Sequence, residues 1–436
     1  MKIISIKKSR KHSVNKIDLT QLPIDSETPS RRIFLAQASA GILGAALSGK
    51  ALTETLADVP MRSVGVPLSG HSERSEFSQI SRLPEATPGM RNVDPSNATN
   101  SKTPLHQLVG TITPSDLHYE RSHSGIPSLS PATHRLLVHG MTKKSVVLTL
   151  DDLRSMPAIS RIAFLECSGN GWENWKKADD SLTVQNLYGL LSMHEWTGVP
   201  LAYLIDSMGK KSESTWMLAE GGDASGMARS IPLTDEIVSE AIIAYAQNGE
   251  ALRPAHGFPL RLIVPGFEGN LSVKWLRRLK FSDRPFMTRW ETARYTSLLP
   301  NGKARQFHLR QEVNSVITSP SGTMSIKPGY HRISGIAWSG HGAIQKVEVS
   351  TDGGESWREA NLNKPVLSKA LTRFELDWEW SGQPTKITSR STDENGNIQP
   401  DRGTLIEEMG TNAIFHFNAQ QTWSIDTNGA VRNVLA

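Results

Sequence analysis

From about Thr103 to Pro300, apolar runs with the spacing of half-buried strands, such as HRLLVHG, SVVLTL and FPLRLIVPG, alternate with runs of helical period, NLYGLLSM and PLAYLIDSMG. That alternation predicts an α+β domain. After about Gln311 the pattern shortens to alternating strands separated by turns, among them YHRISGIAWSG, AIQKVEVST, TRFELDWEW and TKITSRSTD. Strands of this length at this spacing predict a β-sandwich. Asp352-Gly353-Gly354 and Asn395-Gly396-Asn397 supply the positive-φ residues that tight hairpins need. With one cysteine in the chain, the sandwich is immunoglobulin-like without an internal disulfide.

The segments ahead of these domains read differently. Residues 58–102 are rich in Ser, Pro, Arg, Glu and Asn without apolar periodicity, and are expected to be a linker or extended arm. Residues 1–57 begin with the loose basic run KKSRKHSVNK. Ser30-Arg31-Arg32-Ile33-Phe34-Leu35 then fits a twin-arginine pattern, and a weakly apolar run from Ala40 to Leu47 is far too short to span a bilayer. This reads as a twin-arginine export signal to the periplasm, with a small-residue cleavage site at Thr55-Leu56-Ala57. The expected organisation is therefore signal 1–57, arm 58–102, catalytic domain 103–310 and sandwich 311–436.

Charge changes the picture once it is located. Up to Arg32 there are eight Lys/Arg against three Asp/Glu, an excess equal to that of the whole chain, 48 against 43. The remainder is formally neutral, so the basic balance carries no argument for nucleic-acid binding. At 38% hydrophobic and 21% charged over 436 residues, the composition is that of a globular chain with more than one core. Twin-arginine export carries folded proteins, commonly because a cofactor was inserted first.

The single cysteine, Cys167, lies in FLECSGNGW, where an apolar run meets a turn of small residues. Glycines on either side of Asn170 allow a bulky group to approach the backbone closely. An unpaired cysteine is most often an inert core residue. A thiolate at such a turn otherwise serves as a nucleophile or as a soft metal ligand. His256, in RPAHGFPLRLIVPG, is a candidate base for a Cys-His hydrolase. Arg121 with His123, His256 with Arg261, and Lys274 in GNLSVKW instead suit a bound phosphate or oxyanion. Zinc lacks its usual ligand set here, since a single cysteine leaves no C-x-x-C motif to complete it.

Taken together, LHYERSHSGIP, FLECSGNGW, SMHEWTGVP, LAEGGDASGMARSIPL, NGEALRPAHGFPLRLIVPGFEGNLSVKWLRRLK, ETARYTSLLPNGKARQF and AWSGHGAIQKVEVSTDGGESW resemble the sulfite oxidase family of molybdopterin enzymes, in its SoxC-type sulfane or sulfite dehydrogenase branch. The resemblance runs from about Leu105 to Trp423. It implies a molybdopterin-binding α+β domain followed by an immunoglobulin-like dimerisation domain, and a molybdenum-molybdopterin cofactor with Cys167 as the protein ligand to the metal. It further implies that Tyr119, Glu120, Arg121, Ser122, His123, Asp223, His256, Arg261, Ser272, Val273 and Lys274 hold the pterin and its phosphate. Tyr295, with Arg121 and Cys167, matches the catalytic set, its hydroxyl orienting or deprotonating the reacting oxygen.

This chain also departs from animal sulfite oxidases. Arginines that follow the cysteine there are replaced by Gly171-Trp172, an acidic residue before the tyrosine by Arg294, and a C-terminal arginine by a segment around Asn412 to Phe417 in which His416 is the nearest equivalent. Fewer arginines weaken capture of a free dianion and leave room for a larger substrate. By resemblance, that substrate is the sulfane sulfur of a cysteine persulfide on a carrier protein of the Sox pathway of thiosulfate oxidation, with free sulfite as the alternative. A sulfoxide reductase of the same cofactor class is a further possibility, although such proteins typically lack the sandwich. A c-type haem needs C-x-x-C-H and an iron–sulfur cluster several cysteines, so electrons must leave to another polypeptide. The resemblance names a c-type cytochrome subunit as that acceptor and a homodimer through the sandwich.

Overall fold

The structure, a computed structural model, describes residues 72–84, 100–176 and 178–435. The expected export signal, and most of the expected arm, lie outside those residues. From Ser75 onward the described chain forms one compact unit.

Two five-stranded sheets build the α+β part. In the first, Ile159–Glu166 pairs antiparallel with Leu191–Pro200, which pairs with Ile242–Gln247, which in turn takes Glu250–Ala251 and Arg261–Ile263. In the second, Val146–Leu148, Leu136–Gly140, Leu276–Ser282, Trp216–Gly221 and Ala228–Pro232 follow in order, and only the Leu136–Gly140 and Leu276–Ser282 pair is parallel. Helix Leu201–Met208 packs Leu201, Leu204, Ile205 and Met208 into the core between the sheets, and Gly209 at φ 63° ends it.

One helix expectation fails. Of NLYGLLSM only the first part is helical, in Val184–Tyr188, capped by a reciprocal Thr183–Asn186 box. The chain bends at Gly189 and Leu191 opens a ten-residue strand. A side chain at Gly189 would lie 2.4 Å from the Gln185 carbonyl and 2.5 Å from Lys102 Cβ, so the tight passage there, not local helix propensity, decides the element.

The C-terminal part is the expected sandwich. Asn314–Ser319, Gly329–Trp338, Thr372–Trp380 and Asn361–Leu362 form one sheet. Arg358–Glu359, Ile344–Ser350, Thr385–Asp393, Thr422–Ile425 and Val431–Val434 form the other. Gly353, Gly354 and Gly396 take positive φ at the two predicted turns.

The sandwich and the α+β part share a core. Phe164, Leu187, Tyr188 and Met193 pack with Val316, Trp338, Phe374 and Trp423. Along Ile159–Glu166, Phe164 faces that shared core while Ala163 and Leu165 face a second cluster with Tyr119, Trp196 and Ile263. The strand is therefore fixed from both sides, and it ends at Glu166, just before Cys167.

Candidate active site

Cys167 follows this strand into a turn held by unusually complete hydrogen bonding. Its own N–H donates to the Leu190 carbonyl at 3.0 Å, and its carbonyl accepts from Asn170 N–H at 2.8 Å. Before it, the buried Glu166 carboxylate accepts from Asn170 Nδ2 at 2.9 Å and from Trp338 Nε1 of the sandwich at 2.8 Å. Burial pushes the Glu166 carboxyl up to about 7 against the pull of those two donors. The Glu166 carbonyl accepts from Gly269 N–H at 2.7 Å and from Gln311 Nε2 at 3.0 Å. The half-buried thiol is thus placed by groups from both domains.

It opens on a pocket of about 70 Å³. The wall contains Tyr119, Arg121, Ser122, His123, Cys167, Asp223, Arg261, Ser272, Val273, Lys274 and Tyr295, which sequence analysis had singled out across more than 170 positions. Two of the expected residues stand apart. Glu120 lies off the wall, its carboxylate paired with Arg82, because neighbours in the short strand Glu120–Arg121 point to opposite faces. His256 is buried behind the wall, its Nδ1 3.1 Å from Gln247 Oε1 and its ring 4.4 Å from that of His118. The wall itself carries His118, Met227, Ala255, Gly269, Asn270 and Trp275, none of which had been singled out.

The electrostatics favour an anion. Arg261 donates to the carbonyls of His256 and Ser272 at 2.8 and 2.9 Å, and its buried Nε has no partner. Lys274 Nζ donates to the Ala255 carbonyl at 2.9 Å, and burial, then Arg261, lowers its ammonium to about 7. Among the described residues no carboxylate forms an ion pair with Arg121, Arg261 or Lys274. Buried cations without counter-ions are costly, and an anionic ligand relieves the cost.

Tyr295 follows the short helix Arg289–Thr292, whose Thr288–Glu291 capping box fixes it. Its hydroxyl lies 3.1 Å from His123 Nε2. Burial lowers His123 to about 2 and raises Tyr295, so the pair is a neutral imidazole against a neutral phenol. Burial also raises the Cys167 thiol, while Arg121 opposes this. Behind Tyr295, the buried Arg229 sits with its Cζ 5.0 Å from the ring centroid. Arg229 is fully met, by Glu268 at 2.9 Å, Glu291 at 3.2 Å and Asn270.

This geometry disfavours a Cys-His hydrolase. Burial, then the His194 and Arg261 charges, hold His256 at about 2, too low for a base toward a thiol that burial has pushed up. A molybdopterin group fits better. The wall offers one soft thiol, unpaired cationic donors and an orphaned guanidinium N–H, all matched to an anionic cofactor that brings a metal. Among the described residues no three His, Cys, Asp or Glu side chains could hold a metal without such a cofactor. A Cβ on Gly269 would meet the Tyr119 hydroxyl and the Glu166 carbonyl at 2.8 Å, so the wall needs glycine there.

Fold and site define a molybdopterin-dependent oxidoreductase. Residues 123–290 match the oxidoreductase molybdopterin binding domain, and residues 305–422 the Mo-co oxidoreductase dimerisation domain. Sulfite oxidase of Gallus gallus is 30% identical over 342 residues, spanning 73% of this chain and 74% of its own length. The chain belongs to the sulfite oxidase family and uses its molybdenum cofactor. The NADH nitrate reductase of Ulva prolifera is 29% identical over 76% of this chain, which spans 43% of that protein's length. For mouse mitochondrial sulfite oxidase, 31% identical, the chain spans 60% of the length. The sulfane dehydrogenase SoxCD of Paracoccus pantotrophus matches in structure with a TM-score of 0.81 at 39% identity, covering 87% of this chain and 98% of that chain. Among the described residues no helix is long and apolar enough to cross a membrane.

Proposed function

We propose that this protein is the molybdenum-bearing subunit of a periplasmic sulfane dehydrogenase, exported by the twin-arginine pathway. It oxidises sulfane sulfur held as a cysteine persulfide on a carrier protein and passes the electrons to a c-type cytochrome subunit. The carrying observation is the charge distribution around Cys167. Of the cations there, Arg121 is free of carboxylate partners, while Arg229 is held by Glu268 and Glu291 and contributes little net charge. Gly171 sits at φ 76° with a Cβ position 3.2 Å from Phe417, so an arginine in the turn after the cysteine would be strained and crowd Phe417. Met227, Trp275 and Tyr295 give the wall the partly apolar character that a sulfur chain suits and a small dianion does not. The likeness to the Paracoccus sulfane dehydrogenase supports the same reading.

In this reading Cys167 holds the metal through Sγ, and Arg261, Lys274, Ser272, His123 and Asp223 hold the pterin and its phosphate. When bound, the cofactor would supply two-electron redox chemistry for oxidising the sulfur. The chain's own part is to exclude, orient and donate. Tyr295, kept neutral by burial, turns its hydroxyl proton from His123 Nε2 to the oxygen being transferred. Arg121 stabilises the negative charge on the oxidised sulfur. The sandwich carries the family's dimerisation domain and pairs two copies.

The test is a side-by-side assay of the purified holoprotein with its cytochrome, on persulfidated carrier and on free sulfite. Turnover of the persulfide with at most slow turnover of sulfite is expected. A strong preference for sulfite would overturn the sulfane assignment and leave a sulfite dehydrogenase.

A further inference from the structure

Glu268, which holds Arg229, also begins a run of five ionisable side chains that connects the pocket to the surface. Glu268, buried, accepts from Asn270 Nδ2 of the pocket wall at 2.9 Å. Besides Arg229, at 2.9 Å, it faces His416, with Nε2 3.4 Å from Glu268 Oε2. His416 is 7% exposed and adopts φ 56°, a left-handed conformation uncommon outside glycine, held by donation of its N–H to the Ser168 carbonyl at 2.7 Å. Its ring stacks on His308 at 3.8 Å between centroids. His308 Nε2 lies 3.5 Å from Glu312, which lies 2.8 Å from Nε2 of His341. The side chains of Glu312 and His341 are 36% and 28% exposed, so the chain ends at solvent.

Two features separate this arrangement from a static ion-pair network. The Nδ1 atoms of His416 and His308 are both buried without a partner. Orphaned buried nitrogens of this kind call for a water or a proton to satisfy them. Beside them lies a second cavity of about 10 Å³, room for about one water, lined by Cys167, Ser168, Glu312 and His416 among others. Its polar wall suits an ordered water. Arg229 and Arg310 are the guanidinium groups that face the chain.

We infer that Glu268, His416, His308, Glu312 and His341 form the route by which protons released at the active site reach solvent. The inference rests on the proposed reaction, in which each oxygen taken from water and placed on sulfur releases two protons and two electrons. The electrons go to the cytochrome, and the protons must leave by another path. His416 accepts a proton on one ring nitrogen and gives one up from the other, with Glu268 stabilising the intervening imidazolium. The small cavity and His308 carry it to Glu312, and His341 returns it to solvent. No electron moves along the chain, and each proton that enters is matched by one that leaves.

The experiment compares holoenzyme with His416→Phe, Glu312→Gln and His341→Gln, each checked for molybdenum content and fold. The readouts are kcat, KM, their pH profile and the solvent deuterium isotope effect, with and without added imidazole. His416→Phe and Glu312→Gln are expected to lower kcat by roughly tenfold or more, at unchanged KM and metal content. The isotope effect should rise, and imidazole should restore turnover to His416→Phe. His341→Gln should give a smaller loss that grows as buffer is diluted. If His416→Phe does not fold, the partly exposed Glu312→Gln decides. Folded, metal-loaded Glu312→Gln and His416→Phe with wild-type kcat, pH profile and isotope effect would overturn the route alone. Wild-type protein inactive on every sulfur donor would overturn the proposed reaction and the route together.

Discussion

Arg229 and Arg261 are both buried guanidinium groups close to the same pocket, and they are treated in opposite ways. Arg229 is met by Glu268, Glu291 and Asn270. Arg261 reaches two backbone carbonyls, lies 5.0 Å above the Trp196 ring, and leaves Nε unsatisfied. A buried cation with all its partners holds structure together, whereas one with partners withheld is waiting for a ligand. The wall around Arg261 and Lys274 is accordingly the cofactor side, and the Arg229 cluster is the frame behind Tyr295.

The sharpest blow to this division falls on Cys167, where the cofactor side meets the reacting centre. Cys167→Ser should lower turnover by roughly a thousandfold or more, about 4 kcal/mol of transition-state stabilisation, with the thermal unfolding temperature nearly unchanged. The two arginines should then part company. Arg229→Ala strands two buried carboxylates and should cost about 3–5 kcal/mol of stability, read by denaturant unfolding. Arg261→Ala should leave unfolding almost unaltered and instead empty the purified protein of pterin. Equal effects of both on stability would erase the distinction.

Tyr295→Phe removes a donor without touching either cluster, and should lower kcat/KM by roughly a hundredfold at full cofactor content. The smallest effect concerns pH. Lys274, lowered to about 7 by burial, is largely neutral above that pH in the cofactor-free pocket, and an anionic ligand restores its charge. Cofactor uptake should therefore take up protons above pH 7 and weaken as pH rises, a slope that calorimetry in two buffers detects and that Lys274→Met abolishes.

Much of this site was legible in sequence because it sits on contiguous motifs. The strand ending at Cys167, the turn after it and the Arg261 to Lys274 segment each announce themselves over ten residues or so. Glu120 stands off the wall for a reason also present in the sequence, since a residue beside Arg121 in a strand faces away from it. The frame behind Tyr295 was not legible. Arg229, Glu268 and Glu291 come from separate elements, and His416 meets His308 across two domains, so no local spacing links them. His118 was overlooked inside a motif already in view, because its place on the wall depends on Ser192 and His194 of a distant strand at 2.7 and 2.5 Å.

X-ray absorption at the molybdenum edge of the purified protein, beside Cys167→Ser, is the most direct test of a cofactor site built around this thiol. The account predicts stoichiometric molybdenum in the wild type and the loss of one sulfur scatterer in the variant. Molybdenum with the same sulfur shell in both proteins would contradict it.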